Sequence, residues 1–286
     1  MVVPDDVWIA ALKRDLDPVR GWFASGDRDA NDRDREGFTL LYRAFQSNME
    51  GAPEEFQAKR LAIARFLIAQ GADVNFQAQA TRVDDGLHNL TVTIVNDLTL
   101  LHMSLSLWKA SEVDMLLQLG ADVTLKRLSR PRDSDHSIRD HVTPLEFAFS
   151  RYHLGLFSTF NARVLESMLR AGASLDFSSN GLSPEARLLN VIEDAKLEAQ
   201  FVLANVDERV RELDAGRTLI RAVRQEGSYR AYLRRPHKAL LRIRSLRARG
   251  RAHAIDATPP HVARLLDPSL PNEIAWGILT YYCDAG

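Results

Sequence analysis

Apolar residues recur every three or four positions along most of the chain, and this period predicts helices. Val7, Trp8, Ile9, Ala11 and Leu12 form a first stripe, and Val19, Trp22 and Phe23 a second. Asp6 is expected to cap the first helix, and Asp17, with Pro18 at the first helical position, the second. Leu40, Leu41, Ala44 and Phe45 follow, then a helix from Glu54 that places Leu61, Ile63, Ala64, Phe66, Leu67 and Ile68 toward neighbours. The longest stripe is Leu188, Ile192, Ala195, Ala199, Val202, Val206, Val210 and Leu213. Unbroken over residues 184–225 it would be about 60 Å long at the helical rise, with Gly216 as the place where it breaks or bends. After residue 226 the stripes are short, opened by Pro236, by Pro259-Pro260 and by Pro271, and Gly250 ends the first of them. One stretch has a different period: after Asp85-Gly86, residues Leu90-Thr91-Val92-Thr93-Ile94-Val95 alternate in twos, which predicts a hairpin arm.

Two short phrases punctuate the helical stripes. Gly71-Ala72-Asp73-Val74-Asn75, Gly120-Ala121-Asp122-Val123-Thr124 and Gly172-Ala173-Ser174-Leu175-Asp176 each follow an apolar run. Gly suits the left-handed position after a helix, and the following Asp or Ser bonds its own backbone in a turn. Thr39-Leu40-Leu41-Tyr42, Thr99-Leu100-Leu101-His102 and Thr143-Pro144-Leu145-Glu146 open the helix pairs, with Thr as the N-cap. Asp29-Ala30-Asn31 is a worn copy of the turn phrase, and Asn180-Gly181-Leu182-Ser183-Pro184 a last opening with Ser in place of Thr.

Thr, helix, turn, helix, Gly-Ala-Asp is the order of an ankyrin repeat, whose opening pattern is T-P-L-H-x-A. The chain resembles the ankyrin-repeat family over about residues 5–184. The resemblance implies an all-α solenoid with an atypical helix pair at 5–35, repeats at 36–76, 97–125 and 140–177, and an array spanning 1–182. Residues 183–225 would then cap the array as a long helix or helices, and 226–286 would form a separate basic helical module. His102 stands at the histidine of the family phrase, which implies a structural bond between neighbouring repeats. Thr39 and Thr99 are 60 residues apart and Thr99 and Thr143 are 44 apart, against a family period of about 33. Insertions supply the difference. Residues 76–96 and 125–141 lie in the connecting loops and are either contact surfaces or decoration; 46–53 and 152–160 lie between helices of a pair and are expected to pack locally.

Charge divides the chain unevenly. The net charge is -1, yet residues 209–251 hold 14 Lys or Arg against 3 acids, so a basic arm offsets an acidic body. A hydrophobic content of 45% with 26% charged residues excludes wholesale disorder. Cys283 is the only cysteine, which excludes an intrachain disulfide and a multi-thiolate zinc site and fits an intracellular, cytoplasmic or nuclear protein. No apolar stretch approaches the roughly 20 residues of a membrane span.

Catalytic signatures are missing: there is no G-x-S-x-G elbow, phosphate loop, dinucleotide turn or H-E-x-x-H helix. His136 and His141 stand near Asp133, Asp135 and Asp140 in a spacing that matches no ligand pattern, so no metal and no cofactor is expected. The resemblance implies a non-catalytic scaffold or adaptor that binds one or more proteins through a concave face and inserted loops. Tyr42, Leu90, Val92, Ile94, Trp108, Arg130, Arg132 and His136 are the candidate partner-binding residues. Two alternatives stay open. Ser245-Leu246 and Leu270-Pro271 after an array are similar in layout to a SOCS-box tail, and Leu270-Pro271-Asn272-Glu273-Ile274 to the start of an F-box. That layout implies a ubiquitin-ligase substrate receptor, although Arg249 and Glu273 depart from the SOCS-box pattern. The other alternative is nucleic acid bound by a basic patch of Arg242, Arg244, Arg247 and Arg249.

Overall fold

The computed structural model describes residues 2–35, 37–46, 54–77, 98–127, 142–149, 160–178, 181–198, 206–253, 255 and 258–284. Among these the chain forms fourteen α-helices and no strand. The predicted arm at residues 90–95 lies outside the described residues, as does most of each insertion. The chain divides into an N-terminal unit, Met1–Ile220, and a C-terminal unit, Arg221–Gly286.

The N-terminal unit begins with α1 (Asp5–Lys13) and α2 (Leu16–Ala24). Their caps differ from expectation. Pro4 precedes α1 without a side-chain cap, and Asp15, not Asp17, caps α2 by accepting the Asp17 amide at 3.3 Å. Asp5, Asp6 and Asp17 instead sit in first turns, where the helix dipole favours acids. Three helix pairs follow: α3 (Leu40–Gln46) with α4 (Glu54–Ala69), α5 (Leu100–Ser106) with α6 (Ala110–Gln118), and α7 (Pro144–Ala148) with α8 (Ala162–Arg170). Each first helix opens on the expected hydroxyl: the amides of Tyr42, His102 and Glu146 donate to Thr39, Thr99 and Thr143, and Ala186 does the same to Ser183.

The three glycine turns share one geometry. Gly71, Gly120 and Gly172 have φ of 92°, 88° and 97°, which a side chain would strain. The amide after each one reaches back five residues, from Ala72 to Leu67, Ala121 to Leu116 and Ala173 to Met168, at 2.9 to 3.0 Å. This is the Schellman closure of a helix end. The turns are also joined to each other. Asn31 donates to the Gly71 carbonyl and accepts from the Asp73 amide; Asn75 donates to the Gly120 carbonyl and accepts from the Asp122 amide.

The core lies between successive pairs and is built from the predicted stripes, with Leu40, Leu41, Ile63, Leu67, Leu100, Leu101, Leu105, Leu116 and Leu145 fully buried. It also contains charge. Arg43 of α3 bonds Asp34 at 2.6 Å while its guanidinium stacks on the Trp8 and Phe38 rings. Arg60 of α4 pairs with Glu112 of α6, which also accepts from Ser104 at 3.2 Å.

After these pairs come α9 (Pro184–Glu198) and α10 (Val206–Glu226). Gly216 does not break α10, which runs from Val206 to Glu226 through it. The missing Cβ serves packing: one built there would lie 2.4 Å from Phe160 Cζ. Glu212 of α10 accepts the Ala162 amide at 3.0 Å, so it occupies an otherwise open donor at the start of α8.

The C-terminal unit takes the end of α10, then α11 (Tyr229–Leu233), α12 (Arg235–Ala248), α13 (Pro260–Leu265) and α14 (Asn272–Asp284). Helices opened at Pro236, Pro260 and after Pro271 match the sequence pattern. α11 does not appear in it, although Ser228 caps this helix by accepting the Ala231 amide.

Candidate functional site

The described ends of the two long insertions come together. Gln77, the last described residue before the first insertion, donates from Nε2 to the Lys126 carbonyl at 2.9 Å. Lys126 is the penultimate described residue before the second. The second insertion also closes at its base, where the Arg127 amide donates to the Val142 carbonyl at 2.9 Å. The buried Arg127 guanidinium lies over the Phe147 ring. Gln77, Lys126, Arg127 and Val142, which border residues 78–97 and 128–141, therefore lie together along one edge of the helix pairs.

His102 braces that edge from inside. It is fully buried; its Nδ1 accepts the Thr99 amide at 3.3 Å and lies 2.8 Å from the Thr99 hydroxyl. With Nδ1 accepting, the neutral ring carries its proton on Nε2, which donates to the Val142 carbonyl at 3.2 Å. Val142 thus receives both His102 and the Arg127 amide at the point where the second insertion returns. Burial pushes the imidazole down to about 4, the Val142 bond opposes that shift, and the Arg127 charge adds to it. At neutral pH the ring is an uncharged strut.

The predicted contact residues fall into two groups. Leu90, Val92, Ile94, Arg130, Arg132 and His136 lie outside the described residues. Tyr42 and Trp108 are 1% and 2% exposed, which leaves neither side chain for a partner. Tyr42 stacks on Phe38 and meets Phe76 edge-on, and its burial raises the phenol's pKa. Trp108 follows α5 with φ at 50° and packs on Phe160 at 4.4 Å and on Phe149 at 5.7 Å. Tyr42 is thus committed to packing at its own helix pair, between Phe38 and Phe76, and Trp108 to joining its pair to the next.

The basic patch is also reorganised. Arg242 and Arg249 are exposed, but Arg244 is buried and Arg247 half-buried. Arg244 donates to the Leu265 and Leu270 carbonyls and to Asn272 Oδ1, and Arg247 donates to the Ala263 carbonyl at 3.0 Å. An arginine fork is well suited to several such acceptors at once. These two cations therefore assemble the C-terminal unit, and a continuous patch of four arginines is not presented to solvent.

Sequence reasoning missed Gln77, Arg60 with Glu112, and the structural role of Arg244. A Gln at a loop root carries no local signal, and a buried ion pair 52 residues apart in sequence is visible only once the pairs are stacked. Among the described residues no three His, Cys, Asp or Glu side chains gather as metal ligands, and no helix is long and apolar enough to cross a membrane. No protein-family model matches the chain, and no curated protein matches it.

Proposed function

We propose that the N-terminal unit is an ankyrin-type stack that recognises another protein without catalysing a reaction, and that residues 78–97 and 128–141 carry the contact. The observation behind this reading is the adjacency of their roots, through Gln77 with Lys126 and Arg127 with Val142. Loops whose roots are neighbours on packed helices can serve one partner together, and loops on a helical scaffold are favoured places for contact. The repeated Schellman turns, the Thr caps and the Asn31 and Asn75 bridges support the ankyrin assignment, because each is the same local solution used again one pair later.

The test replaces residues 79–96 and, separately, 129–140 with short Gly-Ser linkers in the full chain. Proteins captured from cell extract are then compared by mass spectrometry with those captured by the unaltered protein. At least one partner is expected to disappear with either replacement while the helical circular dichroism and the melting transition persist. Identical partner sets from all three forms would defeat the reading.

A further inference from the structure

The outer side of α12 carries a single sign of charge. Leu240 and Arg244 are buried and fix the inward side of the helix. Arg235, Lys238, Arg242 and Arg249 are exposed, and at 3.6 residues per turn they fall within about 60° of arc on the opposite side. Arg249 stands just past the last turn but keeps its register, since its amide donates to the Ser245 carbonyl at 3.2 Å. No other residue of the helix falls inside that arc, which runs for about 21 Å at the helical rise. Ala239, Ser245 and the half-buried Leu246 border it.

Little opposes these cations. Between Glu226 and Asp256 the chain holds nine Lys or Arg and no acid. Glu226 lies 3.9 Å from Arg235 and 3.8 Å from Lys238, and no carboxylate of the described residues lies within ion-pair distance of Arg242 or Arg249. What the arc lacks narrows what it fits. A protein partner needs an apolar centre inside a polar rim, and the arc has none. A helix on a bilayer turns large apolar residues toward lipid together with its cations, but Ile243, the large apolar residue exposed on α12, points about 100° away from Arg242. Single strands are gripped through aromatic platforms for their bases, and no ring lies in the arc. A duplex backbone needs none of these: it offers closely spaced phosphates, and its interfaces are more polar and more positive than those between proteins.

We propose that the outer face of α12 binds the phosphate backbone of duplex nucleic acid, with Arg235, Lys238, Arg242 and Arg249 each taking a phosphate. Arg244 and Arg247 are not part of this surface, because their donors are used inside the unit. The proposal uses residues of the C-terminal unit alone, so it stands or falls separately from recognition by the insertions at 78–97 and 128–141.

The experiment titrates the full chain against a short fluorescent DNA duplex of mixed sequence and follows anisotropy. The whole chain has a net charge of -1, so binding requires a local surface rather than bulk attraction. With four phosphates neutralised, affinity is expected to fall about a hundredfold between 50 and 200 mM salt. Arg242→Gln/Arg249→Gln should bind about tenfold or more weakly at the lower salt and lose only about tenfold over the same range, because two contacts remain. Arg65→Gln/Arg163→Gln removes the same charge from exposed sites on α4 and α8 and should change neither figure. All four substituted side chains are exposed, and an unchanged melting curve confirms that each variant is folded. No binding at 50 mM salt, or an equal loss in the two double variants, overturns the proposal. Poly-glutamate that displaces the duplex at equal charge concentration would make this a surface for acidic proteins and overturn it. Pelleting with phosphatidylserine vesicles that depends on Arg242 and Arg249, in the absence of duplex binding, would make it a lipid surface and overturn it as well.

Discussion

Asn75 and Asp122 are separated by 47 residues in sequence, yet the Asn75 carboxamide accepts the Asp122 amide hydrogen at 2.8 Å. The same carboxamide donates to the Gly120 carbonyl at 3.3 Å, so one side chain joins two successive turns. Both bonds are solvent-exposed, and a net contribution of about 1 kcal/mol apiece is the ordinary scale. Asn75→Ala is expected to lower stability in urea unfolding by about 1 to 2 kcal/mol. Thr124 occupies the equivalent place one turn later and bonds only within its own turn, to Asp122. Thr124→Asn is expected to supply the missing bridge to Gly172 and Ser174 and to raise the melting temperature by about 2 to 4 °C.

Glu112 is almost wholly buried and serves Arg60, Ser104 and, at 3.8 Å, Lys109. Burial, then the neighbouring Arg60, lowers the Arg14 pKa, while Glu112 acts in the opposite direction. Removing Glu112 leaves buried guanidinium groups without their carboxylate. Glu112→Ala is expected to cost about 3 to 5 kcal/mol in denaturant unfolding. The apolar pair Arg60→Met/Glu112→Leu should recover most of that loss, because it removes the stranded charge along with its partner.

His102 should set part of the acid sensitivity. Its pKa falls from an ordinary 6.5 in the unfolded chain to about 4 in the folded one. Between these values the unfolded state binds the proton and the folded state does not, so stability rises with pH across the window. The contribution is complete above the unfolded value and is lost as pH falls toward about 4, to an extent of about 3 kcal/mol. Urea midpoints measured from pH 7 to pH 4 should fall steeply for the unaltered chain. For His102→Gln the slope across that window should be shallower.

Gly216→Ala tests the contact of α10 with Phe160. Alanine is the better helix former by about 1 kcal/mol, and in an open helix the change would stabilise. Here the added Cβ meets a buried ring at 2.4 Å, and overpacking of that kind costs about 1 to 3 kcal/mol. A lowered melting temperature is expected. In a Phe160→Ala background the clash is gone, and the same substitution should raise it.

The turns and helix starts were legible in the sequence because their signals are local. A glycine at positive φ, a Thr accepting the amide three residues on, and an Asp bonding its own turn are decided within five residues. The caps of α1 and α2 were each misplaced by two positions, Asp6 for Pro4 and Asp17 for Asp15, in a stretch where several acids crowd together. Tyr42 and Trp108 read as surface aromatics because burial depends on rings brought in from elsewhere, from Phe76 beyond α4 for Tyr42 and from Phe149 and Phe160 of the next pair for Trp108. Arg244 and Arg247 joined a charge count although their donors are used by carbonyls of α13 and the turn after it. Gly216 read as a break because sequence shows a missing side chain but not the ring that requires it to be missing.

Asn31 and Asn75 carry a chemical consequence of their own. Each turn-to-turn bridge depends on a carboxamide that donates from nitrogen and accepts at oxygen, and carboxamides hydrolyse slowly in water. Deamidation at Asn75 would set a carboxylate oxygen against the Gly120 carbonyl, converting an attraction into a repulsion without altering the shape of the side chain. The joints between helix pairs thus age chemically, and a long-stored sample should loosen first at its turns while its apolar core is still intact.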